Sequence, residues 1–102
     1  MQTNIEPVAC QVLREYPIKR AALFGSAARG DMTEHSDIDM LIEFFPGRGG
    51  VNLEYFGLQI DLEAALGRRV DLLTFGSFER EAKPRFKENV MRDVRVIYER
   101  ED

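Results

Sequence analysis

Residues 24–39 read FGSAARGDMTEHSDID, and this stretch carries most of what the chain discloses about itself. Gly25-Ser26 closes an apolar run, ten residues intervene, and Asp37-Ile38-Asp39 opens a second apolar run. From Asp37 to Phe45 (DIDMLIEFF), Ile38, Met40 and Ile42 alternate with Asp37, Asp39, Leu41 and Glu43, which predicts a strand. On a strand, residues two apart share a face, so Asp37 and Asp39 project together while Ile38 and Met40 enter the core. Gly-Ser followed after ten residues by Asp-x-Asp should arise by chance in on the order of one chain in a thousand of this length.

Working outward, Ile5, Val8, Val12, Leu13 and Tyr16 recur at helical spacing, with Thr3 or Asn4 as N-cap and Pro17 as the stop. Arg20 to Phe24 (RAALF) predicts a short buried strand ending at Gly25, and Ser26 to Arg29 a short helix closed by Gly30. After the FPGRGG break, Leu53, Phe56, Ile60 and Ala64 predict a helix that stops at Gly67; Leu58, Ile60 and Leu62 give a weaker strand alternation. Val70 to Phe75 (VDLLTF) is a third strand, Gly76-Ser77 a turn, the region from Pro84 a helix, and Val94 to Tyr98 the last strand. The order is α/β. It predicts a small mixed sheet with one layer of helices packed on it, in a single domain spanning residues 1–102.

The residue types in the opening stretch suit phosphate chemistry. Asp71 lies one residue into the third strand, so three carboxylates come from neighbouring strands. Their hard oxygen atoms suit Mg²⁺, and a pair of such ions about 3.5–4 Å apart can stabilise both oxygens of an in-line phosphoryl displacement. Gly25 permits close approach of the backbone to a ligand, Ser26 adds a hydroxyl, and the helix start offers N–H groups to an anion. Arg29 suits either a phosphate oxygen or the end of the short helix. Taken singly each piece is ordinary: a Gly-Ser turn, a loop cap at Ser36-Asp37, a surface Asp71. Their conjunction is not.

Other features narrow the field. A net charge of −4 gives no basic footprint for nucleic acid, so no direct nucleic-acid contact is expected. Cys10 is the only cysteine, which excludes an internal disulfide and fits a reducing cytoplasm. The N-terminal MQTNIEPVACQ lacks a basic n-region and no apolar run approaches ~18 residues, so neither a signal peptide nor a membrane span is expected. His35, the sole histidine, reads as a solvent-facing loop residue, and Arg68 and Arg69 read equally as cations at a helix end or as contacts to phosphate or a partner protein.

ALFGSAARGD, HSDIDMLIEF, LEAALGRRVDLLT and the final VIYE together resemble the minimal nucleotidyltransferases (MNT) of the DNA polymerase β superfamily, in particular the stand-alone antitoxin branch that pairs with a HEPN-domain toxin. The resemblance covers nearly the whole chain. It implies the polymerase β-like nucleotidyltransferase fold, with Asp37 and Asp39 as ligands of two Mg²⁺ ions, Asp71 as third catalytic carboxylate, and Gly25 and Ser26 as triphosphate contacts. It implies ATP as donor, transfer of AMP to a tyrosine hydroxyl of the toxin, and a hetero-oligomer with that toxin. Two other functions fit the same residues: an antibiotic-type nucleotidyltransferase acting on a small molecule, and a non-catalytic antitoxin that neutralises by binding. The first is disfavoured because such relatives carry an added helical domain, the second because the carboxylate triad is intact.

Overall fold

The computed structural model describes residues 5–47 and 53–101; the proposed caps Thr3 and Asn4 lie outside them. Helix α1 (Ile5–Leu13) leads into strand β1 (Ile18–Phe24), the short helix α2 (Ser26–Arg29), strand β2 (Ile38–Phe44) and helix α3 (Leu53–Leu66). Strand β3 (Val70–Thr74), helices α4 (Phe75–Glu81) and α5 (Pro84–Asp93), and strand β4 (Arg95–Glu99) complete the order. The sheet runs β3-β2-β1-β4. Strand β1 pairs antiparallel with β2 and β4, whereas β2 and β3 are parallel and joined through α3. The sheet is therefore mixed, as the sequence predicts.

Helices cover both faces of the sheet, not one. Ile38, Met40 and Ile42 of β2 pack with Ala21, Leu23, Val70 and Leu72 against Ile5, Ala9 and Leu13 of α1 and Leu58 and Leu62 of α3. On the opposite face Phe24 and Leu41 pack with Phe78 of α4 and Val90 of α5. Alternation along the strands produces this division, since odd and even positions serve different layers. Edge-to-face contacts of Phe86 with Phe24 and Phe78, at centroid separations of 6.2 and 5.9 Å, extend the second layer.

Two local expectations are corrected. Gly76-Ser77 does not turn the chain but lies inside α4, where the Thr74 hydroxyl accepts the Ser77 N–H (3.1 Å) as an N-cap. In α3 the predicted stripe points outward: Leu53, Phe56 and Ile60 are 87%, 57% and 64% exposed, while Leu58 and Leu62 are fully buried. Apolar residues ring much of this helix, so periodicity alone selects no face.

Candidate active site

The end of β1 and the starts of β2 and β3 meet at one end of the sheet. Phe24 pairs with Asp39 across the antiparallel β1–β2 ladder, and Asp39 pairs with Asp71 across the parallel β2–β3 ladder. Ile38 and Met40 face α1 and α3, as do Val70 and Leu72, so Asp39 and Asp71 both project from the opposite face. Asp37 lies just ahead of β2 and is exposed, as is Asp71, whereas Asp39 is half-buried between its neighbours.

Gly25 abuts Asp39 directly. Its backbone (φ 67°, ψ −148°) lies in a region open essentially to glycine alone. It then starts α2, accepting the Ala28 and Arg29 N–H groups at 3.1 Å, and Gly30 ends the helix in the left-handed conformation (φ 85°). Ser26 is the first residue of that helix, and Ala27 anchors it in the core.

The electrostatics single out Asp39. Burial, reinforced by the charges of Asp71 and then Asp37, pushes its carboxyl up to about 6; Arg29 opposes the shift. Asp39 is therefore close enough to Asp71 and Asp37 to feel both charges. Among the described residues, no three Asp, Glu, His or Cys side chains are grouped so as to hold an ion as they stand. The oxygen donors of these carboxylates are of the hard type that suits a hard cation.

Arg29 is engaged elsewhere: its guanidinium pairs with Asp31 (3.1 Å) and, across to α5, with Asp93 (3.0 Å). These two ion pairs tie the end of α2 to the following residues and to α5. His35 is solvent-facing, its side chain 89% exposed.

Other residues around the site take roles that the sequence reading did not give them. Arg68 Nη1 donates to the Thr33 carbonyl (2.8 Å) and the Ser36 carbonyl (3.0 Å), pinning the loop that delivers Asp37. Thr33 and Ser36 brace the same loop, with the Thr33 N–H donated to Ser36 Oγ (2.9 Å). A polar cleft of about 170 Å³ is lined by Asp37, Gln59, Glu63, Arg69, Val70 and Asp71. Larger grooves of about 400 and 580 Å³ beside α1 contain none of these carboxylates. Volume is a poor guide here, because charged ligands are held by charge and backbone donors more than by apolar enclosure.

Comparison with known proteins gives this geometry its context. Residues 8–97 match the nucleotidyltransferase domain family. A Methanocaldococcus jannaschii protein named as a protein adenylyltransferase is 39% identical over 83 residues, covering 81% of this chain and 83% of its relative. A solved minimal nucleotidyltransferase structure superposes with a TM-score of 0.69 at 33% identity, covering 91% and 89% of the two chains. A solved complex of the tri-AMPylated Shewanella oneidensis HEPN toxin with MNT antitoxin matches with a TM-score of 0.65 at 22% identity, covering 98% of this chain and 74% of that one; it bears on the fold alone. With the match running from α1 into β4, through the Gly-Ser turn and all three aspartates, this chain belongs to the nucleotidyltransferase domain family.

Proposed function

We propose that this chain is an antitoxin that transfers AMP from ATP to a tyrosine hydroxyl of a cognate HEPN-domain toxin, working in the cytoplasm in a hetero-oligomer with that toxin. The observation that carries the reading is the placement of Asp39 beside Asp71 in parallel register, with Gly25 against the Asp39 carboxylate. The name of the Methanocaldococcus relative, a protein adenylyltransferase, supports a protein as the acceptor. No helix among the described residues is long and apolar enough to cross a membrane.

Asp37, Asp39 and Asp71 would hold two Mg²⁺ ions. Bound there, Mg²⁺ supplies charge neutralisation for the triphosphate and for the attacking oxygen. The strained Gly25 lets the backbone approach the phosphates, and the Ser26 hydroxyl donates to a phosphate oxygen. In the transfer, the tyrosine oxygen forms a bond to the α-phosphorus while the bond from that phosphorus to the bridging oxygen breaks. Pyrophosphate leaves, and Asp71, exposed at the cleft, receives the hydroxyl proton. The acceptor arrives on another protein.

The test is the intact mass of a HEPN-domain protein encoded beside this chain, after incubation with Mg-ATP and either the parent protein or Asp39→Asn. Mass added in whole AMP units by the parent alone is the expected result. No added mass, together with full protection of cells by Asp39→Asn, would replace transfer with neutralisation by binding.

A further inference from the structure

Strand β3 lies at the edge of the sheet, so among the described residues one side of its backbone has no neighbouring strand. The Arg69 carbonyl accepts the Ile38 N–H of β2 (2.9 Å). Alternation then turns the polar groups of Val70 and Leu72 away from β2, toward the open edge. An edge left in that state frays or pairs with another chain. Helix α3 prevents this with three polar side chains spaced one turn apart on one stripe. Glu63 Oε2 accepts the Val70 N–H (2.9 Å), Gln59 Nε2 donates to the Val70 carbonyl (2.9 Å), and the Tyr55 hydroxyl donates to the Leu72 carbonyl.

These bonds bracket Asp71 from both sides. Residue 70 is held through its donor and its acceptor, residue 72 through its acceptor, and the carboxylate between them can turn only about its own side-chain bonds. Gln59 and Glu63 also wall the polar cleft that contains Asp37 and Asp71. Tyr55 is close enough for the Asp71 charge to be felt: burial first, then that charge, raise its hydroxyl above the ordinary tyrosine value. Covering an edge needs only bulk. Three directed bonds to the two residues flanking one carboxylate do more, because they fix its position.

We propose that Tyr55, Gln59 and Glu63 form a positioning ladder that sets Asp71 against Asp39, with Glu63 as its principal member. The proposal rests on the reading of Asp71 as a site carboxylate. Glu63 acts in it as a hydrogen-bond acceptor, not as a charge, and this separates it from an additional metal ligand. Glutamine at the same position retains an acceptor oxygen of the same reach; alanine does not.

The experiment compares the parent with Glu63→Gln and Glu63→Ala by amide hydrogen exchange at Val70 and Leu72 and by steady-state AMP transfer with Mg-ATP and toxin. Val90→Ala, on the opposite face, serves as a control for general loss of stability. Glu63→Ala should speed Val70 exchange at least tenfold and lower kcat at least tenfold, with KM for ATP changing less than threefold. Glu63→Gln should stay within threefold of the parent in all three, and Val90→Ala should not exchange selectively at Val70. Parent-like exchange at Val70 in Glu63→Ala overturns the ladder, as does a Glu63→Gln variant as impaired as Glu63→Ala. If the parent itself transfers no AMP, the functional reading fails separately. Mg²⁺ affinity by calorimetry then takes the place of kcat, with a tenfold weakening in Glu63→Ala upholding the ladder and unchanged affinity overturning it.

Discussion

Gly25 faces the carboxylate of Asp39 so closely that a Cβ built on it would lie 2.5 Å from Asp39 Oδ2. The contact joins the two halves of the sequence signature physically, across fourteen positions of chain. From the sequence, residue 25 reads as a strand end where only a ligand would notice a side chain. In the structure the first thing a side chain meets is the neighbouring carboxylate.

Gly25→Ala should therefore damage the site twice over. The positive φ of 67° is unfavourable for alanine, and the methyl group pushes the Asp39 carboxylate out of its place beside Asp71. A loss of about 1–3 kcal/mol in stability follows from the backbone strain. AMP transfer should fall by more than that loss of folded protein explains. Urea denaturation paired with transfer rates, both at low temperature, checks this; a stable and fully active variant would remove Gly25 from the site.

The pH dependence of stability follows from Asp39. Its folded value of about 6 lies above the ordinary 3.8, so protonation favours the folded state. The associated stability is present below the ordinary value and is lost as pH rises through about 6. Replacing the group with a neutral isostere removes that loss. Without divalent cations, Asp39→Asn should melt above the parent at pH 7.5, and the gap should close near pH 4. A constant gap across that range would mean that neither burial nor the charges of Asp71 and Asp37 raise the Asp39 carboxyl.

The strands and the Gly-Ser turn were legible because their signals are local. An apolar run of the right length, a glycine at its end and an alternating Asp-x-Asp each sit within a few residues. The faces of α3 were not, because Tyr55, Phe56, Leu58, Ile60 and Leu62 place apolar groups on most of its circumference. Only the tertiary neighbours decide: polar Gln59 and Glu63 are drawn to the edge of β3, which brings Leu58 and Leu62 inward. Helix α4 was hidden by Gly76, which reads as a turn until Thr74 is recognised as a cap. Arg68 was out of reach, since the carbonyls it binds lie 35 and 32 positions earlier.

That assignment of faces is itself testable. Leu58→Ala should cost about 2–5 kcal/mol, the usual range for emptying a fully buried leucine site. Ile60→Ser and Phe56→Ser, at exposed positions, should each change stability by about 0.5 kcal/mol or less. Chemical denaturation of the isolated chain decides. Equal losses at Leu58 and Ile60 would mean that α3 is rotated about its axis from the orientation described.

Arg68 offers the sharpest contrast between a solvated helix end and a residue that shapes the site. Its guanidinium reaches two carbonyls of the loop 33–36, and Asp37 is the next residue along. Both bonds leave one nitrogen, Nη1, whose N–H groups are fixed in the guanidinium plane, whereas the donors of an ammonium group rotate freely on a flexible stem. Arg68→Ala should leave the helix formed and lower stability by about 1 kcal/mol, the size of an exposed hydrogen-bonding contribution. Its larger effect should be local: amide exchange at Ser36 and Asp37 should accelerate, and Mg²⁺-dependent ATP binding should weaken severalfold because Asp37 is no longer held in place. Arg68→Lys should fall between the two. The nucleotide titration matters most, since a cation that merely decorates the end of α3 would alter neither it nor the exchange. If ATP binding stays at the parent level while exchange accelerates, the loop is loosened but Asp37 contributes little to holding the nucleotide. That outcome would leave Asp39 and Asp71 as the carboxylates on which binding depends.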